Sequence, residues 1–286
     1  MGITSFIRRK LKQKKKVFYV SKEKQLLELD FELDNSYIFG LDTEFDWRST
    51  YFPKLSMVQI SSLDKIFLID CLQINPNKIL KKHLENKELL KIFHSARSDA
   101  TVLSNCVKAQ TSNVFDIQIA EKLISNNQIE AYGKIVNKYY GINLQKSETN
   151  SNWLRRPLTK NQICYAKEDV NYLIEIYKLQ RKILKKRNLL NEAFINSNKE
   201  VNSGNLSLKE ARLKKKEKKL PNRNKKIFIW REELAEVKNL PPSFIFKDKY
   251  LSQLSKINTK DVDAKKKIMS IIGDSELTKK FLKDFL

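Results

Sequence analysis

The first sustained apolar run in the chain, Tyr37-Ile38-Phe39-Gly40-Leu41, is too short for a helix and predicts a strand over 37–43. Two further runs, SMVQISS (56–62) and KIFLID (65–70), predict two more strands, joined as a hairpin by the link Leu63-Asp64. Ahead of them, Ser21-Lys22-Glu23-Lys24 predicts the opening of a short helix with Ser21 as its N-cap. A helical stretch over 75–90 leads to a short strand, KIFH (91–94), and then to a helix entered at Ser95 through SARSDATVLSNC. The strand NVFD (113–116) and helical patterns at 117–125 and 131–140 follow. Thr159 caps a long helix over 160–187, with Ile163, Tyr165, Ala166, Val170, Leu173, Ile174 and Tyr177 at helical spacing. Beyond 188 the strand patterns stop. Residues 199–226 are polar and Lys-rich, the best linker candidate, and 227–286 predicts several short helices punctuated by Pro241-Pro242. A hairpin followed by strand–helix units makes a mixed sheet with helices packed on it.

At the end of the first strand stand Asp42 and Glu44, in FGLDTEFDW (39–47). Side chains two apart on a strand share a face, so two like charges crowd together beside a buried run. Such a pair repels and resists desolvation. Either it is solvated at a loop mouth, or something cationic sits between the carboxylates. Two more acids stand in comparable places: Asp99 in FHSARSD, on the first turns of a helix, and Asp169 in YAKED (165–169). Tyr165 lies four residues before Asp169 and shares its helical face. Four carboxylates suit two hard divalent cations such as Mg²⁺ or Mn²⁺, which take oxygen ligands. Two ions about 3.5–4 Å apart support in-line phosphoryl hydrolysis, and a Tyr hydroxyl one helical turn from a ligand could orient the attacking water.

Charge strengthens this direction. The chain has 286 residues, is 41% apolar, and carries a formal net charge of +23. Residues 1–16 have seven basic and no acidic side chains, 17–187 a net of +6, and 188–286 a net of +10. Such an excess calls for an acidic partner, nucleic acid before anionic membrane. Cys71, Cys106 and Cys164 are isolated and only two His are present, so neither a disulfide framework nor a zinc site is indicated. A reducing, cytoplasmic setting follows. No apolar run approaches the roughly 18 residues of a spanning helix. The start MGITSF matches the myristoylation pattern weakly, and a solvated basic tail over 1–16 explains the segment better than a membrane-surface helix.

LDTEF (41–45), FHSARSDATVL (93–103) and YAKEDVNYL (165–173), in this order, resemble the three motifs of the DEDD 3′→5′ exonucleases of the Tyr subclass, and among them the ribonuclease D family. FDIQIA (115–120) and KSETNSNWLRRPLTKNQICYA (146–166) follow that family as well. The resemblance implies a ribonuclease H-like mixed sheet flanked by helices. It implies Asp42, Glu44, Asp99 and Asp169 as ligands of two divalent metal ions, Mg²⁺ or Mn²⁺, with Tyr165 orienting the nucleophilic water. WREELAEVKNLPPSFIFKDKYLSQLSKIN is similar to the helicase-and-RNase-D C-terminal (HRDC) domain, which implies a small all-α domain. The expected organisation is a basic tail (1–16), an exonuclease domain (17–187), a helical or Lys-rich connection (188–226) and an HRDC-like domain (227–286).

Around the site, Gln59, His94, Trp153 and Arg156 are substrate-contact candidates. Each has a plainer reading: sheet packing for Gln59, a strand-end hydrogen bond for His94, and Trp packing under the Arg-Pro turn for the other two. Asp116 reads as a helix cap rather than a fifth ligand. The implied activity is removal of nucleoside 5′-monophosphates from RNA 3′ ends, as in tRNA 3′ processing. The implied partners are tRNA precursors or other structured RNA with single-stranded 3′ ends, met by a monomer with no membrane involved. A DNA 3′→5′ exonuclease of the same superfamily and a non-catalytic nucleic-acid-binding module are the alternatives.

Overall fold

The strand carrying Asp42 and Glu44, β2 (Ile38–Asp46), lies inside a six-stranded sheet of order β1-β4-β3-β2-β5-β6. The others are β1 (Lys16–Val20), β3 (Lys54–Ser61), β4 (Lys65–Asp70), β5 (Leu90–Phe93) and β6 (Val114–Asp116). The computed structural model describes residues 15–126, 128–144, 148–216 and 220–285. The tail up to residue 14, Lys146 and Ser147, and 217–219 of the Lys-rich stretch lie outside the described residues. The chain forms two compact units, one of residues up to Asp46 with Pro53–Leu206, the other of Trp47–Phe52 with Ser207 onward.

β3 and β4 pair antiparallel as the expected hairpin, its turn closed by Ser62 N–H donating to the Lys65 carbonyl at 2.9 Å. β2 runs antiparallel to β3 and parallel to β5, but the β5 pairing spans only Ile38–Gly40. Beyond Gly40, β2 outruns β5 and opens a slot on that side. Both faces of the sheet are covered, so the strands read as continuous apolar runs instead of alternating ones. On one face Phe39, Leu41, Val58, Ile60, Phe67 and Phe93 meet α1 (Leu26–Asp34), α2 (Asn77–Glu85), α3 (Arg97–Cys106) and α8 (Leu190–Gly204). On the other, Ile38, Met57, Leu68, Ile92 and Phe115 meet α4 (Ile117–Ile124), α5 (Tyr132–Tyr140), α6 (Lys160–Asn171) and α7 (Leu173–Lys186).

One strand was missed and three expectations need correction. β1 was hidden because VFYV is short and abuts the basic tail; it pairs parallel with β4 at the sheet edge. Ser21 does not cap the first helix. A 3-10 turn, Glu23–Gln25, precedes α1, and the Gln25 side chain accepts from the N–H groups of Ser21 and Lys22 at 3.0 and 2.9 Å. The helix expected over 160–187 breaks at Tyr172. The start of the expected linker is α8, whose buried face is Ala193, Ser197, Val201 and Gly204. Small residues carry little hydrophobic signal, yet they let α8 approach α3 so closely that a Cβ at Gly204 would stand 2.5 Å from the Arg97 carbonyl.

The second unit is helical: α9 (Leu208–Lys216), α10 (Asn222–Lys238), α11 (Pro242–Ile245), α12 (Leu251–Lys256), α13 (Ala264–Ile272) and α14 (Ser275–Phe285). Tyr51 is fully buried in its core, and the N–H groups of Tyr51 and Phe52 both donate to Asn239 Oδ1 at 3.1 Å. Arg231 is buried between the rings of Phe228 and Phe246, each 5.2 Å away, and donates to the Phe246 carbonyl.

Gly40 sets how closely the α6–α7 junction docks on β2. A Cβ there would lie 2.7 Å from Ser61 Oγ and 2.9 Å from Leu173 Cβ, while Ser61 Oγ donates to the Val170 carbonyl at 2.8 Å. Val170 follows Asp169, so pushing this junction outward moves a site carboxylate. Gly40→Ala should therefore cost about 1–3 kcal/mol of stability, the usual range for overpacking. It should also weaken divalent-metal-induced stabilisation. Thermal melts with and without Mn²⁺ check both; an unchanged melt would show that the junction has slack.

Candidate active site

The slot where β2 outruns β5 gathers acids from three elements. Strand alternation puts Asp42 and Glu44 on the face covered by α6, and α6 brings Asp169 down onto them. One carboxylate oxygen from each of Asp42, Glu44 and Asp169 lies within 4.8 Å of the others. Asp169 sits one turn after Tyr165; both line the same cavity, and the Tyr165 hydroxyl lies 3.3 Å from Thr149 Oγ1. The helix begins cleanly because Thr159 and Gln162 form a reciprocal capping box, as expected for Thr159.

Asp99 is placed by a different device. Ser95, just after β5, has φ +64°, a left-handed conformation that costs a non-glycine residue about 1 kcal/mol or more. The Asp116 carboxylate holds that turn, accepting from Ser95 N–H at 2.9 Å and Ala96 N–H at 2.8 Å. It also accepts from Gln118 N–H at 2.8 Å as the N-cap of α4. α3 then starts at Arg97 and carries Asp99, 5% exposed, to Thr43 Oγ1, which donates to Asp99 Oδ1 at 2.6 Å. Asp99 thus stands beside Asp42 but does not join the group of three within 4.8 Å.

The electrostatics of this cluster are lopsided. Burial, and then the Asp169 charge, push Asp42 well above the usual carboxylate range. Burial with the charges of Asp42, Asp169 and Asp99 takes Glu44 up to about 10. Burial takes Asp169 up to about 7, even against the lowering effect of the nearby Tyr165 hydroxyl. Asp99 rises through burial and the Asp42 charge. Among the described residues, no Lys or Arg forms an ion pair with any of the four. An all-oxygen donor set crowded together without a cation fits a hard divalent metal ion.

Asp42, Asp169, Tyr165, His94, Tyr132 and Leu144 help line a cavity of about 330 Å³. His94 has its strand-end partners, with Nε2 at 3.1 Å from the Glu130 carbonyl and 3.3 Å from Gln118 Nε2, and it also faces this cavity. Gln59, Trp153 and Arg156 do not line it. Gln59 is fully buried opposite Asp42 in the β2–β3 register. Trp153 is 3% exposed, packed in the α6 side of the core with its ring 6.0 Å from Tyr165. Arg156 grips buried Asp70 through Nε and Nη2 at 2.6 and 2.7 Å and donates to the Trp153 carbonyl at 2.7 Å.

Sequence reasoning missed three supporting residues: Thr43, the clamp function of Asp116, and Asp70 as the partner of Arg156. Thr43 sits in the middle of LDTEF, and its exit on the opposite face from Asp42 was available from alternation. The other two depend on long-range contacts that no local pattern signals.

Residues 17–185 match the model of a 3′-5′ exonuclease family, and residues 222–286 match an HRDC domain. A ribonuclease D of Desulfotalea psychrophila is 32% identical over 228 residues, 76% of this chain and 61% of that protein. The chain thus spans about six-tenths of the length of that relative. Among solved structures, Escherichia coli RNase D, described as an exoribonuclease involved in structured RNA processing, has a TM-score of 0.82 at 22% identity, covering 94% of this chain and 74% of that one. Brucella melitensis NrnC with bound Mg²⁺ has a TM-score of 0.56 at 21% identity, covering 68% of this chain and 92% of that one. The mixed α/β sheet flanked by helices is the fold these structures share. With the acids of all three motifs on the slot of that sheet and the family model spanning 169 residues, 17–185, the chain belongs to the 3′-5′ exonuclease family.

Proposed function

We propose that this protein is a divalent-metal-dependent 3′→5′ exoribonuclease that releases nucleoside 5′-monophosphates from RNA 3′ ends. The observation that carries this reading is the trio of Asp42, Glu44 and Asp169 within 4.8 Å, half-buried and, among the described residues, without a cationic ion-pair partner. These three, with Asp99 beside them, would hold Mg²⁺ or Mn²⁺, two ions being the number the four acids can balance. When bound, such ions supply Lewis-acid stabilisation of the charge on the attacking and leaving oxygens. Tyr165 lines the cavity with Asp42 and Asp169, one helical turn from Asp169, and would orient a water for attack. The 3′ oxygen leaves, so the phosphate stays with the released nucleotide. The rings of His94 and Tyr132, with the apolar Leu144 beside them, offer a wall against which a terminal base can stack. Ribonuclease D relatives, and the solved relative described as acting on structured RNA, support RNA as the substrate. The excess of +23 supplies the sequence-independent grip on phosphates. Precursors of tRNA, trimmed by a monomer in the cytoplasm, are the substrate class this reading favours.

Purified protein incubated with a tRNA precursor carrying extra 3′ residues and Mg²⁺ should shorten it stepwise from the 3′ end, yielding 5′-monophosphates. EDTA and Asp42→Ala should each abolish the shortening. Faster degradation of matched single-stranded DNA would move the assignment to a DNA exonuclease, and no shortening of either substrate with Mg²⁺ or Mn²⁺ would refute it.

The raised acids make a second expectation, about stability. A folded state that keeps protons on Asp169 to about 7 and on Glu44 to about 10 binds more protons than the unfolded chain, whose carboxyls titrate near 4. Metal-free protein should therefore lose stability as pH rises from about 4 towards 7 and on to 10. Asp42→Asn should reduce that loss and raise the metal-free melting temperature at pH 8, while eliminating most of the Mn²⁺-induced rise. A variant less stable than wild type without metal would show that the Asp42 charge is not under strain.

A further inference from the structure

The break in the helix after Asp169 has a specific cause. Residues 160–187 contain neither Pro nor Gly, yet α6 ends at Asn171 and α7 begins at Leu173. In an unbroken helix the Tyr172 N–H would donate to the Glu168 carbonyl, four residues back. Here the Tyr132 hydroxyl takes both places. It donates to the Glu168 carbonyl at 3.0 Å and accepts from Tyr172 N–H at 3.3 Å. The Tyr172 N–H also turns towards the Val170 carbonyl, and the ladder resumes with Ile176 N–H on the Tyr172 carbonyl at 2.9 Å. A side chain inserted into the i→i−4 ladder is one of the few established causes of a sharp bend.

The inserted residue also faces the site. Tyr132 opens α5 and lines the cavity with Asp42, Tyr165 and Asp169, its ring centroid 5.6 Å from that of His94. The intercepted carbonyl belongs to Glu168, the neighbour of Asp169. On either side of the break, Val170 and Leu173 dock against Ser61 and Gly40 on the sheet.

We propose that Tyr132 is a positioning residue for the exonuclease reaction, its hydroxyl holding the α6–α7 break so that Asp169 and Tyr165 stand at Asp42 and Glu44. The effect on turnover rests on the function proposed above; the effect on the helix and on metal binding does not. The single hydroxyl couples the first turn of α5 to the last turn of α6. Without it, the Tyr172 N–H and the Glu168 carbonyl are free to pair with each other, and the segment carrying Asp169 is no longer tied to α5.

Tyr132→Phe keeps the ring, its packing and the cavity wall, and removes only the inserted oxygen. Three measurements on the full chain separate the possibilities. In the crystal structure of the variant, Tyr172 N–H should pair with the Glu168 carbonyl and the Asp169 carboxylate should shift away from Asp42. The Mn²⁺ concentration giving half of the metal-induced melting-temperature rise should increase at least tenfold. On a 3′-extended RNA, kcat should fall at least tenfold with KM changed less than twofold. An unchanged break, or a lower melting temperature with Mn²⁺ midpoint and kcat both intact, would overturn the proposal. If wild type degrades no RNA, the proposed function fails, while the helix geometry and the Mn²⁺ midpoint still decide the role of Tyr132. Should Tyr132→Phe fail to fold, a wild-type crystal structure decides instead: the Tyr132 hydroxyl should sit between the Glu168 carbonyl and the Tyr172 N–H, and a continuous helix with Tyr172 N–H on the Glu168 carbonyl would overturn the proposal.

Discussion

Three half-buried carboxyl groups held within 4.8 Å of one another repel when ionised, in a setting where repulsion is screened less than in water. Among the described residues no lysine or arginine forms an ion pair with them, although the chain carries 56 of those residues. Their cations are used elsewhere, Arg156 on Asp70 being the clearest case. The first unit is therefore organised around holding these acids together, and without a metal the relief comes from protons kept on Glu44 and Asp169; under the proposed function a divalent cation takes that place. That one constraint accounts for the donor types, for their upward titration, and for the polar supports that surround them.

Those supports act at each element that brings an acid. Asp116 holds the left-handed turn at Ser95 and so aims α3. Thr43, on the opposite face of β2 from Asp42, donates to Asp99. Ser61 ties the Val170 carbonyl to β3, and the absence of a side chain at Gly40 lets the α6–α7 junction sit close. Further out, Arg156 joins Asp70 to the Trp153 carbonyl, and Tyr19 donates to the same Asp70 at 2.6 Å. Burial alone would raise Asp70, but the Arg156 and Tyr19 hydrogen bonds hold it below its ordinary value, ionised and paired. Trp153 in turn packs near Tyr165. A site that must resist its own repulsion is built on strands and helices locked by such contacts, not on loose loops.

Much of this was legible in the chain itself. The strand of Asp42 and Glu44, the β3–β4 hairpin, the Thr159 cap and the Asp116 cap all rest on local rules of alternation and capping, and those rules held. Tyr165 and Asp169 on one helical face followed from spacing alone. What escaped has a common character. β1 was masked by the basic run beside it, and α8 by a buried face of small residues with almost no hydrophobic periodicity. The break at Tyr172 is invisible to helical patterning because its cause, the Tyr132 hydroxyl, lies 40 residues away in sequence. The partners of Trp153 and Arg156, Tyr165 and Asp70, are set by tertiary contacts that composition does not encode.

The most direct test of the carboxylate cluster as a metal cage is anomalous diffraction from crystals of this protein soaked in Mn²⁺. The expected result is an anomalous peak between Asp42, Glu44 and Asp169, with carboxylate oxygens at about 2.0–2.6 Å. Strong Mn²⁺ peaks elsewhere with none among these three side chains would contradict it.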